Sequence, residues 1–269
     1  MGLKHKDKAA LVTGAARGLG RLIALDLAKQ GAKVAIADLR EADLKSTAQE
    51  IEALGVECLP LTVDLRTKAA CHKMVADTRE RFKKIDILVN NAGVVWNADI
   101  MDQDDEVIQT TMDVNFMAQV WATRAALPEM IARKSGTIVS ISSGAGKVGI
   151  PAMGIYCASK FALVGFFDSL RHELRNKDAG VKVIVVCPGF MATKMFVGAK
   201  VPRFTTLFDP QKTSTALMKA MDKGREEVFV PWTIRGMAIS RGIYPPRLME
   251  KFVELTGMHQ SFYSSKTID

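Results

Sequence analysis

An α/β fold, with a doubly wound parallel sheet covered by helices on both faces, is what this 269-residue chain predicts. Three observations carry the prediction. Short runs nearly continuous in Val, Ile, Leu and Ala alternate with amphipathic helical stretches, as strands buried on both faces do. The first such run, Ala9 to Thr13, breaks directly into glycines that open a helix. No linker, low-complexity segment or change in composition divides the chain, so one domain over 1–269 is expected.

Taken in order, Ala9 to Thr13 is the first strand, and RLIALDLAKQ makes the first helix, which Gly31 closes. Lys33 to Ala37 is the second strand and ends on Asp38. A helix from about Glu41 stops at Gly55, Cys58 to Val63 is the third strand, and a polar helix fills Lys68 to Phe82. Ile85 to Val89 forms the fourth strand and runs into Asn90-Asn91-Ala92-Gly93. One helical region extends from the acidic MDQDDE through Asn115 to about Lys134, before the fifth strand at Thr137 to Ile141. A long helix to about Asn176 leads to the sixth strand, Val181 to Cys187, stopped by Pro188-Gly189. A helix near Gln211 to Met221 and a seventh strand at Val228 to Pro231 follow. A C-terminal extension, 232–269, holds two short amphipathic helices separated by Tyr244-Pro245-Pro246.

Composition narrows the function. Apolar residues make up 48% and charged residues 25%, the balance of an ordinary soluble globular protein. The net charge of +8 is spread along the chain without a basic run, which argues against nucleic acid as partner. The four cysteines, Cys58, Cys71, Cys157 and Cys187, have no CxxC or Cys/His ligand spacing, so free thiols and no metal are expected. No apolar stretch approaches the ~18 residues that span a bilayer, and MGLKHKDK does not read as a signal peptide. A cytoplasmic location without a membrane span is the expectation.

In parallel sheets of this kind ligands sit beyond the carboxyl ends of the strands. The first strand ends in Gly14, Gly18 and Gly20, spaced GxxxGxG, with Arg17 and Leu19 between them. Such glycines allow a pyrophosphate to approach the backbone at a helix N-terminus, although a plain tight turn has the same composition. Asp38, at the end of the second strand, can accept ribose hydroxyls and repel a 2′-phosphate, favouring NAD over NADP. Arg17 and Arg40 pull toward NADP, since a guanidinium pairs with phosphate. Asp64 at the end of the third strand is a candidate acceptor for the adenine amino group. Tyr156 and Lys160, four apart, share a helix face, and an ammonium beside a phenol lowers its pKa. A surface tyrosine with a solvated lysine has that spacing too, so the pair takes its meaning from the rest of the chain. Ser143, with Ser142 as its rival, is placed to polarise a substrate oxygen.

As a set, TGAARGLG at 13–20, Asp38, VDL at 63–65, NNAG at 90–93, Asn115, Ser143, YCASK at 156–160 and PGFMAT at 188–193 resemble the short-chain dehydrogenase/reductase family, over about 8–193. The resemblance implies a Rossmann-type sheet of about seven strands in the order 3-2-1-4-5-6-7, and a nicotinamide cofactor. It implies Tyr156 as general acid/base, Lys160 lowering its pKa and holding the nicotinamide ribose, Ser143 steadying the substrate oxygen and Asn115 binding a relay water. Gly14, Arg17, Gly18, Leu19, Gly20, Asp38, Asp64, Leu65, Asn91, Ala92, Gly93, Pro188, Gly189 and Thr193 complete the expected cofactor contacts. A four-helix subunit interface from 105–134 and 155–176, with small residues at Gly165 and Ser169, implies a homodimer or homotetramer.

Trp96, Ala145, Met153, Phe190 and Phe196 are the substrate-pocket candidates, the last two in a substrate loop at 190–210. An apolar loop there suits a secondary alcohol or ketone on a steroid, fatty or alicyclic skeleton. Lys147 and Lys194 favour an anionic tail only if they are not simply solvated. A 3-oxoacyl reductase and a non-catalytic dinucleotide-binding sensor are the rival functions. For the extension, packing on a subunit or a lid over the pocket is expected ahead of membrane attachment.

Overall fold

The computed structural model describes residues 3–192 and 207–257. Seven strands form one sheet in the order β3-β2-β1-β4-β5-β6-β7, every neighbouring pair parallel. They are β1 Ala9–Thr13, β2 Lys33–Asp38, β3 Cys58–Thr62, β4 Ile87–Asn90, β5 Gly136–Ile141, β6 Val181–Pro188 and β7 Glu227–Val230. The helices are α1 Gly18–Lys29, α2 Glu41–Glu52, α3 Lys68–Phe82, α4 Asp105–Met112, α5 Ala118–Ala132, α6 Gly154–Asn176, α7 Pro210–Lys223, α8 Thr233–Ile243 and α9 Pro246–Leu255.

Successive side chains of a strand point to opposite faces, and here both faces are covered. Ala10 and Val12 of β1, Val34 and Ile36 of β2 and Ile184 and Val186 of β6 pack with α1, α2 and α7. Their neighbours Leu11, Ala35 and Val185 pack with α3, α5 and α6 on the other side. The strands therefore read as continuous apolar runs. The marginal strands β3 and β7 are partly exposed.

The helix ends follow local chemistry. Thr67 caps α3 by accepting from the Ala70 N–H at 3.2 Å. Asp209 caps α7, which has Pro210 in its first turn and Gly224 in the left-handed conformation (φ +63°) at its end. Far from the strand tips that form the cleft, Asp86 accepts from the Ala9 N–H at 2.9 Å and from Arg133 Nη1 at 2.9 Å, tying β1 to β4 and α5. Burial opposes ionisation of Asp86, but these donors and Lys84 outweigh it and its pKa is lowered.

One expected element is divided. The helical region expected over 105–134 is α4, then a wider π-helical turn at Asp113–Met117, then α5. Asn115 sits in that turn, buried; π turns inside α-helices recur at functional positions because they redirect a side chain.

Candidate active site

The ends of β1, β2, β4, β5 and β6 open into a cleft of about 530 Å³, within the range of ligand pockets. Its lining includes Gly14, Arg17, Gly18, Leu19, Gly20, Asp38, Asn91, Ala92, Gly93, Ser143, Tyr156, Lys160, Pro188 and Gly189. Trp96, Thr47 and Met191 line it as well.

The glycine turn fits a dinucleotide. Gly14 and Gly18 have φ of +65° and +58°, a conformation that side chains disfavour. A Cβ on Gly20 would collide with the Gly14 carbonyl and stand 2.5 Å from Asn91 Nδ2. Asn91 Nδ2 donates to the carbonyls of Thr13 (2.9 Å) and Gly14 (3.1 Å), and Thr13 Oγ1 accepts from the Asn91 and Ala92 N–H groups, both at 3.0 Å. The β1 turn and the β4 end thus brace one another. Helix α1 starts at Gly18 with no acidic residue in its first turn, so its N-terminal amides keep their attraction for an anion.

Asp38 is buried beside this turn. Its Oδ2 accepts from the Ala16 N–H and its Oδ1 from the Arg40 N–H, each at 3.1 Å, while Arg40 Nη1 lies 3.9 Å from Oδ1. Arg17 and Arg40 also line the cleft. Asp64 and Leu65 do not. The Asp64 carboxylate is taken by Arg66, with Nη2 at 2.6 Å, and Leu65 is buried against the α3 layer. The cause is the marginal position of β3, whose end lies outside the sheet's central tips.

Tyr156 and Lys160 stand in the first turns of α6, both buried. Ser143 caps a short 3-10 turn, Gly144–Gly146, by accepting from the Ala145 N–H at 3.1 Å, which leaves its hydroxyl proton to donate. That hydroxyl hydrogen-bonds Tyr156. Ser142, the rival, donates to the Lys160 carbonyl at 2.9 Å and is buried in holding α6 to β5. Lys160 Nζ donates to the Ile141 carbonyl at 3.1 Å and lies 5.6 Å from the centre of the Tyr156 ring. Asn115 Oδ1 accepts from the Val94 N–H at 2.8 Å, and its Nδ2 donates to the Val94 carbonyl (2.9 Å) and to Ser159 Oγ (3.1 Å). Around Gly93, where a Cβ would stand 3.2 Å from Asn115 Oδ1 and 3.4 Å from Lys160 Nζ, the two side chains converge.

The expected lowering of the tyrosine pKa is corrected here. Burial pushes the Tyr156 phenol up to about 12, and only the Ser143 hydrogen bond pulls against it. Lys160 is itself brought down to about 8 by burial. Its ammonium is committed to the Ile141 carbonyl, beside the ring instead of the phenol oxygen.

Among the substrate-pocket candidates, Trp96 lines the cleft. Ala145 and Met153 are buried with Tyr156, Val95 and Cys157 in an apolar cluster against which Phe190 packs. Lys147 is neither solvated nor in the cleft: it donates to Glu227 Oε1 at 3.1 Å and covers the Phe229 ring. Thr193, Lys194 and Phe196 lie outside the described residues. Thr13, Ser159 and the Ile141 carbonyl join the site beyond the residues the sequence points to. Thr13 lay within the TGAARGLG motif, whereas a backbone carbonyl leaves no sequence signal. No group of metal-ligating side chains and no helix long and apolar enough to cross a membrane occurs among the described residues.

A family model described as short chain dehydrogenase matches residues 8–201. Estradiol 17-beta-dehydrogenase 11 of Rattus norvegicus is 33% identical over 241 residues, 89% of this chain and 80% of the relative. Epidermal retinol dehydrogenase 2 of Mus musculus is 32% identical over 263 residues, 95% of this chain and 85% of the relative. The crystal structure of a metagenomic short-chain oxidoreductase in complex with NADP superposes with a TM-score of 0.72 at 30% identity, covering 83% of this chain and 96% of that one. The chain belongs to the short-chain dehydrogenase family and is a nicotinamide-dinucleotide-dependent oxidoreductase acting on CH–OH groups.

Proposed function

We propose that the protein interconverts a secondary alcohol and a ketone on a hydrophobic substrate, with NAD as the preferred dinucleotide and Tyr156 as the group that moves the proton. The observation that carries this reading is the buried Tyr156 hydroxyl, hydrogen-bonded to Ser143 at the floor of a cleft whose other end is the glycine turn. The dinucleotide, when bound, takes up or delivers the hydride. Gly14, Gly18 and Gly20 with the α1 N-terminus would hold its pyrophosphate, Asp38 its adenosine ribose and Lys160 the ribose next to the nicotinamide. Pro188, Gly189 and Thr193 would hold the nicotinamide end.

In reduction, the Tyr156 hydroxyl gives its proton to the substrate oxygen while Ser143 donates a hydrogen bond to that same oxygen. In oxidation the tyrosine oxygen takes the alcohol proton. Asn115 fixes the Val94 backbone beside Lys160, and a water held there would pass protons between Lys160 and solvent. The apolar cluster of Val95, Ala145, Met153 and Cys157 around Tyr156 suits a lipophilic skeleton. Relatives named for estradiol and retinol favour the same class. Residues 8–193 would form the catalytic core of a single domain. Assembly through α4, α5 and α6 belongs to this reading, and Gly165 on α6 has open space where a neighbour would approach.

The dinucleotide preference rests on Asp38. Replacing Asp38 by Ala removes the carboxylate that repels a 2′-phosphate and leaves Arg17 and Arg40 in place. The ratio of kcat/KM with NAD to that with NADP is expected to fall by about tenfold or more, since one buried charge is worth at least ~1.4 kcal/mol here. An unchanged ratio in steady-state assays would assign the preference to other residues.

A further inference from the structure

The inner side of α8 is fastened to the active site. Ile234 Cδ1 lies 3.5 Å from where a Cβ on Gly144 would stand and 3.2 Å from one on Gly189. It therefore touches both the turn after Ser143 and the corner after β6. The outer side carries a different pattern. Trp232, Ile239 and Ile243 recur at i, i+7 and i+11, within about 40° of one another at ~100° per residue. They are 79%, 55% and 70% exposed. On α9, Leu248 and Leu255, again seven apart, are 50% and 71% exposed. A soluble helix ordinarily turns such a stripe inward. Here a second stripe of large apolar groups faces out at the rim of the catalytic turn.

The charge beside these stripes is cationic. Helix α8, TIRGMAISRGI, has no acid; Arg235 lies beside the stripe, whereas Arg241 is on the opposite side, over the Phe161 ring at 4.5 Å. Helix α9 adds Arg247 and Lys251 against Glu250 and Glu254. The chain as a whole carries +8. Apolar side chains with an interfacial tryptophan, flanked by arginines, match the boundary between headgroups and acyl chains of an anionic bilayer. A second copy is a poorer occupant. A two-fold contact sets each patch against itself, so Arg235 would face its own counterpart with no carboxylate on α8 to separate the two.

We propose that the α8–α9 extension docks this protein on an anionic lipid surface, with Trp232, Ile239 and Ile243 entering the interface and the arginines holding the headgroups. The assignment stands apart from the catalytic reading, since it concerns residues that line no part of the cleft. Binding should be weak and salt-sensitive, because a few partly inserted side chains contribute far less than a spanning helix.

Flotation of the full chain with phosphatidylcholine vesicles, with and without phosphatidylserine as about one third of the lipid, tests this. Phosphatidylserine-dependent binding is expected, lost by about tenfold or more in Ile239→Asp/Ile243→Asp and in Arg235→Glu/Arg247→Glu. These positions are exposed, and melting curves verify that the variants fold. A conservative Trp232→Phe variant serves as a second readout: it should abolish the vesicle-induced blue shift of tryptophan emission seen in the wild type. Absence of binding to either vesicle overturns the proposal. Equal binding by wild type and both double variants also overturns it, leaving only diffuse attraction by the net charge. A concentration-dependent dimer that Ile239→Asp/Ile243→Asp dissociates, without vesicle binding, assigns the face to a second copy instead.

Discussion

Tyr156→Phe is expected to lower kcat by about 10²–10⁴-fold, the range that a positioned proton donor contributes, and to leave the dinucleotide Kd nearly unchanged. The ring packs in the cluster of Val95, Ala145, Met153 and Cys157, and phenylalanine keeps that packing. What disappears is the hydroxyl that hydrogen-bonds Ser143. The pH dependence carries the same signature. A phenol pushed up to about 12 by burial is protonated at neutral pH, so it is ready as the acid of ketone reduction. Alcohol oxidation needs the phenolate. Its rate should rise with pH through the alkaline range in the wild type and lose that rise in the variant. Stopped-flow turnover and fluorescence titration of the dinucleotide check both halves. Retention of most of the activity would remove Tyr156 from the chemistry.

Gly20→Ala should be nearly as damaging by another route. The added methyl collides with the Gly14 carbonyl and presses on Asn91 Nδ2 at 2.5 Å, the donor that braces both Thr13 and Gly14. These are backbone and buried partners, so the turn must move. Overpacking of this kind costs about 1–3 kcal/mol of stability. The displaced α1 N-terminus should raise the dinucleotide Kd by about 10–100-fold, since each ~1.4 kcal/mol is tenfold. Thermal melting and cofactor titration measure the two effects. Unchanged values for both would mean that the turn is loose enough to absorb a methyl group and does not need its close approach.

The two variants probe features of unequal legibility. The fold was readable because strands buried on two faces, such as Leu11–Val12 and Val185–Val186, are apolar without alternation, and each run ends in a turn signal. Glycines at 14, 18 and 20 and Asp38 were readable because a strand end is fixed by where its apolar run stops. Three things were not. The π turn at Asp113–Met117 was hidden because apolar periodicity cannot register one extra residue in a helical turn. The Tyr156 pKa went the other way because the four-residue spacing to Lys160 reports proximity, whereas burial decides the sign. Asp64 lies outside the cleft lining, because a strand end in the sequence says nothing of whether that strand is central or marginal. Ser142 and Ser143 are chemically alike, and only the fold separates them: one closes on the Lys160 carbonyl and the other opens to Tyr156.

The exposed helices present the same lesson in reverse. The heptad-like spacing of Trp232, Ile239 and Ile243 is visible in the sequence, but packing would have been its ordinary explanation. Ile234 instead does the packing, on Gly144 and Gly189, and the stripe is left outside.

The most direct test of the central claim is a turnover screen with alcohols and ketones of graded size and apolarity, using NAD and NADP in turn, followed by absorbance of the reduced dinucleotide. Tyr156→Phe run beside the wild type separates enzymatic from background exchange. The account predicts turnover of lipophilic secondary alcohols or ketones, higher kcat/KM with NAD than with NADP, and its loss in the variant. Dinucleotide binding without turnover of any member of the panel would contradict it and point to a sensor built on the same fold.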